Sequence, residues 1–67
     1  MIKIDFEVEM VATESLLKQL KPLRIQGSYH NVYGWLKARI VYQNDQIMDY
    51  VATILNNFKG RQILKFT

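Results

Sequence analysis

From Ile2 to Met10 the chain alternates without interruption: Ile2, Ile4, Phe6, Val8 and Met10 are apolar, and Lys3, Asp5, Glu7 and Glu9 between them are charged. A period of two sends successive side chains to opposite faces, so this stretch predicts a strand with one buried and one wetted face. Such a strand needs a cover for its apolar side, and the next residues offer one. Thr13 is placed to cap a helix and Glu14 lies in the first turn, where the helix dipole favours an acid. Leu16, Leu17 and Leu20 form the helical stripe, Lys18 and Lys21 sit toward its end, and Pro22 cannot extend it.

The same sequence of events recurs further on. Leu36, Ala38, Ile40 and Tyr42 alternate with Lys37, Arg39 and Val41 in a strand spanning Trp35 to Gln43. Asn44 or Asp45 then caps a second helix with Ile47, Tyr50, Val51, Ile54, Leu55 and Phe58 at helical spacing, Lys59 in its last turn and Gly60 as its C-cap. Arg61 to Thr67 forms a last strand, with Leu64 and Phe66 directed inward. The stretch from Leu23 to Gly34 is less regular. Leu23-Arg24-Ile25-Gln26 begins a strand, which Gly27-Ser28 interrupts as a bulge or turn would. A hairpin turn near Asn31 to Gly34 is expected, because Asn and Gly tolerate positive φ. A turn at Gly27-Ser28 is the alternative, and it would make Tyr29 to Tyr42 one long strand.

Strand, helix, two strands, helix, strand is the ferredoxin-like βαββαβ order, an α+β class. Right-handed crossovers place both helices on one face of a four-stranded antiparallel sheet with strand order 4-1-3-2. The first and third strands become central neighbours, so Asp5 and Glu7 can meet Lys37 and Arg39 across the pair. At 67 residues the chain reads as a single domain over 1–67 with a thin stability margin. It contains no cysteine, which removes disulfides and thiolate metal sites and fits a reducing, cytoplasmic setting. No apolar run approaches the roughly 18 residues of a membrane span, and charge at Lys3 and Asp5 interrupts what a signal peptide would need. No membrane partner is therefore expected.

Several chemistries can be tested against the residues. Small heavy-metal-binding domains of this architecture carry M-x-C-x-x-C after the first strand. Here the stretch reads Met10-Val11-Ala12-Thr13-Glu14-Ser15, with Ala12 and Ser15 where thiolates are required. RNA-recognition motifs stack bases on aromatics of the central strands. The part from Ala38 to Thr67 is loosely similar in cadence, through Asn56-Asn57 and Gly60-Arg61, but Lys37 and Arg39 stand at outward positions of the third strand, and Asp5, Glu7 and Glu9 at those of the first. His30 has no cysteine to pair with, and its nearest serine, Ser28, is too close along the chain to make a nucleophile–base pair. Catalytic residues, metal ligands and cofactors are accordingly not expected.

Two groups of residues point instead to binding. Tyr29, His30, Tyr33 and Trp35 gather in the hairpin region, and aromatics of this kind are enriched at interface hot spots. Lys18, Lys21 and Arg24 lie around the end of the first helix, and Lys59, Arg61 and Lys65 near the C-terminus; both sets can neutralise phosphates, and the net charge is +3. The expected function is a small non-catalytic protein-interaction or regulatory, inhibitor-like module. Its partner is another protein or a second copy of itself, paired through a sheet edge as a homodimer. Nucleic-acid binding through the Lys and Arg clusters is the alternative.

Overall fold

The computed structural model describes residues 2–43 and 45–67. Strands β1 (Ile2–Glu9), β2 (Gln26–Val32), β3 (Trp35–Tyr42) and β4 (Leu64–Phe66) form one antiparallel sheet in the order β2-β3-β1-β4. Helices α1 (Met10–Leu20) and α2 (Met48–Gly60) supply its cover. The element order and the central β1–β3 pair agree with the alternation in the sequence. Phe6 lies opposite Ala38, Glu7 opposite Lys37 and Asp5 opposite Arg39.

Alternation along the strands decides which residues are buried. Phe6, Val8, Leu36, Ala38, Ile40, Tyr42 and Leu64 face the helices, where they meet Ala12, Leu16 and Leu20 of α1 and Val51, Leu55 and Phe58 of α2. The core thus lies over β1, β3 and β4, whereas β2 contributes no buried residue.

Local chemistry moves several boundaries from where the sequence pattern puts them. Met10 opens α1 instead of closing β1, because its amide donates to the Gly34 carbonyl at 3.1 Å while the Glu9 amide donates to Ile63 at 2.9 Å. Met10 is therefore 40% exposed and does not face inward. Thr13 is not the cap: it lies one turn inside the helix, and its hydroxyl donates to the Glu9 carbonyl at 3.3 Å. Leu23 and Arg24 do not begin a strand. A 3-10 turn at Lys21–Leu23 ends with Arg24 in the left-handed region at φ 55°.

Gly27-Ser28 is neither bulge nor turn, since β2 and β3 pair in unbroken register from Gln26↔Val41 to Val32↔Trp35. The hairpin turn falls on Tyr33 and Gly34, both at positive φ, 52° and 87°. Two successive positive φ values match the type I′ turn, whose twist suits a tight hairpin.

At the other helix, the expected cap Asn44 lies outside the described residues, and Asp45 opens a 3-10 turn (Asp45–Ile47) ahead of α2. Gly60 is the last helical residue and not the left-handed cap. Gln62 takes that role at φ 62°, with its amide on the Lys59 carbonyl at 2.9 Å and the Ile63 amide on Phe58 at 3.3 Å. Those two bonds are the Schellman pattern, filled here by a residue with a side chain. The cap consumes Arg61 to Ile63, which shortens the last strand to three residues. Leu64 is buried as expected, but Phe66 is 42% exposed, its ring 5.4 Å from the Lys59 ammonium.

Candidate functional site

Several surfaces carry the residues that composition and pattern single out. The first is the sheet face away from the helices. Strand register lines its side chains into rows: His30, Lys37, Glu7 and Lys65 in one, Ser28, Arg39 and Asp5 in the next, Val32, Trp35 and Glu9 in a third. Arg39 grips Asp5 through two hydrogen bonds, Nε to Oδ1 at 2.8 Å and Nη2 to Oδ2 at 3.3 Å. That bond holds the Asp5 carboxyl below the usual carboxylate range, aided by the charges of Arg39, Lys37 and Lys3, and it raises Arg39 in turn. Glu7 faces Lys37 in register, yet its carboxylate reaches Lys65 at 3.3 Å. The Lys65 ammonium also sits 4.6 Å from the centre of the Trp35 ring, so Trp35 lies on this face and is half-buried there. A hollow of about 400 Å³ opens among Asp5, Ser28, His30, Lys37 and Arg39. Within it Arg39 is matched by Asp5, a pairing that stabilises the sheet face, and Lys37 adds one net positive charge.

The basic residues do not make one surface. Lys18, in the last turn of α1, and Lys21 and Arg24 just beyond it lie at the end of the sheet where Arg24 lines a crevice with Gln26 and Tyr42. Lys59 and Arg61 lie at the end of α2, beside the opposite end of β1, where Glu9 bonds to Ile63. Arg61 lies over the Phe58 ring at 4.6 Å, and Lys65 is held on the open face.

The hairpin aromatics are divided as well. His30 and Trp35 belong to the open face, Tyr29 to the helix side, and Tyr33 stands at the turn, 100% exposed. A strand's period of two enforces that split. The Tyr29 ring lies along the strand over Gly27, where any Cβ would collide with the ring and its hydroxyl. Partial burial pushes the Tyr29 hydroxyl up from its ordinary value.

The last surface is the outer edge of β2. All seven residues, Gln26–Val32, are exposed, and the strand runs without bulge, proline or charge. Sheet edges are normally blunted by one of those devices or by shortness. The other edge obeys the rule, because β4 has three residues and presents Lys65. A two-residue hairpin makes Val32 and Trp35 exchange both main-chain bonds, so Val32, His30, Ser28 and Gln26 turn their main-chain groups to β3. The N–H and C=O groups of Gly27, Tyr29 and Asn31 consequently point outward. Reading hot-spot residue types picks out Tyr29 and His30 here but passes over Gln26, Gly27, Ser28, Asn31 and Val32. The signal for them is an absence of charge: Ile25 to Leu36 is the longest stretch without Asp, Glu, Lys or Arg.

No protein-family model, curated protein or solved structure matches this chain, so its geometry alone carries a functional reading.

Proposed function

We propose that the chain is a non-catalytic protein-interaction module of ferredoxin-like arrangement, and that its recognition element is the β2 edge. An extended segment of a partner adds as a fifth strand along Gln26–Val32, bonding to the outward main-chain groups of Gly27, Tyr29 and Asn31. The observation that supports this reading is the full-length, unbulged, uncharged edge, set against the short, lysine-bearing edge at β4. Main-chain bonds give such a site affinity. Tyr29 on one side of the strand, with His30 and Val32 on the other, supplies selectivity for the added side chains. A module of this kind acts by occupying or donating an edge, which suits a regulator or inhibitor.

The experiment is a selection of linear peptides from a displayed library, followed by amide chemical-shift mapping of the bound protein. The Gly27, Tyr29 and Asn31 amides are expected to shift most. A methyl group on the main-chain nitrogen of Tyr29, introduced by chemical synthesis, should abolish binding and leave the fold unchanged. Peptides that shift only the open sheet face or the outer side of α1 would sink the proposal.

A further inference from the structure

The edge is also fit to receive itself, and we infer that the strand completing it belongs to a second copy of this chain, joined by a twofold axis at Tyr29. The inference rests on the edge-strand reading above and names its partner.

Consider which registers β2 allows against another β2. Outward main-chain groups must meet outward main-chain groups, so Gly27, Tyr29 and Asn31 can face only one another. Antiparallel pairing centred on Ser28 or His30 satisfies this condition but leaves an outward residue overhanging. Centring on Tyr29, the middle residue of the seven, pairs the whole strand. Tyr29 then opposes Tyr29, Gly27 opposes Asn31, Ser28 opposes His30 and Gln26 opposes Val32. Each of the outward pairs exchanges both of its bonds.

The side chains agree with that register. No Asp, Glu, Lys or Arg stands in the strand, so no like charges are brought together although each chain carries +3. On the helix side, Gly27 provides the space into which Tyr29 of its own chain folds, which keeps the ring flat along the edge. Each Tyr29 ring, 36% exposed alone and lying over its own Gly27, then sits beside Asn31 of the second copy, the residue that opposes that glycine. One step past the strand, the register brings Tyr33 opposite Ile25 of the second copy. That contact gives an apolar neighbour to a tyrosine that is otherwise 100% exposed. The product is a continuous eight-stranded sheet whose outer edges are the two short β4 strands.

Sedimentation equilibrium from micromolar to millimolar protein tests the association, and single cysteines test the register in a chain that has none of its own. The expected mass is twice 7.9 kDa, falling to 7.9 kDa for Tyr29→Lys, which places two ammonium groups opposite one another at the axis. Under mild oxidation Tyr29→Cys should crosslink to itself. Ser28→Cys should crosslink to His30→Cys in a mixture in preference to its own kind, because directly opposed Cα atoms lie within disulfide range. A wild-type mass of 7.9 kDa throughout, or crosslinking that ignores this pattern, overturns the inference. If the protein stays monomeric while an added linear peptide still shifts the Gly27, Tyr29 and Asn31 amides, the edge reading survives and only the second copy is excluded. If neither event occurs, both fall.

Discussion

Asp5 shows how a charge can be spent on the sheet and not on a ligand. Its carboxylate receives a forked guanidinium from Arg39, a geometry that favours the ionised form. The folded-state pKa therefore lies below the unfolded one, with the Arg39 hydrogen bond as the leading cause. For a depressed carboxylate the linked stability is fully present above the unfolded pKa, near the ordinary 3.8, and is lost as pH falls through the folded value. A carboxyl-carbon NMR titration should place the Asp5 midpoint below that of an unperturbed aspartate, and Arg39→Ala should move it back up. A midpoint that ignores the Arg39 substitution would mean that the fork does not persist in solution.

At the scale of elements, Arg24, Tyr33 and Gln62 hold the left-handed region where glycine or asparagine is favoured, and the last two do so for different ends. Gln62 caps α2 at φ 62° and Tyr33 occupies the hairpin turn at φ 52°. Relieving either conformation by Gln62→Gly or Tyr33→Asn should raise the stability of the isolated fold by about 1 kcal/mol. Their effects on association should differ, because only Tyr33 reaches the proposed seam. Tyr33→Asn is expected to weaken self-association by several fold and Gln62→Gly to leave it unchanged, as read by sedimentation. Equal effects would separate Tyr33 from the seam. The same two residues mark what the sequence could reveal. Alternation in Ile2–Glu9 and Trp35–Tyr42 makes the central strand pair and its Asp5–Arg39 match legible, because a half-buried strand writes its period directly into residue type. Glu7, by contrast, turns from Lys37 to Lys65 of the far strand. Boundaries were less legible where backbone bonds from distant segments decide them. The Met10 amide finds Gly34, the Glu9 amide finds Ile63, and no local pattern announces either. The candidate site fared similarly. The aromatics stood out by type, but pleating sends Tyr29 and Trp35 to opposite faces, and the edge that unites the outward residues is defined by main-chain direction and not by side chains.

The whole molecule pairs a one-sided core with a strand that core does not reach. Both helices pack over β1, β3 and β4, leaving β2 held by its bonds to β3 and by its turn. A chain this short has little stability to spare, and anything that binds the native state alone adds to it by mass action. If a second copy completes β2, unfolding releases two chains from one assembly, and the melting temperature must rise with protein concentration. For a chain of this length the expected rise is about 3–6 °C for each tenfold increase, combining that mass-action term with the unfolding entropy of small domains. Tyr29→Lys should remove the dependence: its melting temperature stays flat with concentration and agrees with wild type at the dilute limit, because Tyr29 contributes nothing to the buried core. The dilute limit matters, since it separates loss of association from loss of fold. A variant that melts lower at every concentration would show Tyr29 supporting its own hairpin through its contact over Gly27, and a wild-type melting temperature independent of concentration would mean that β2 stays unpaired in solution.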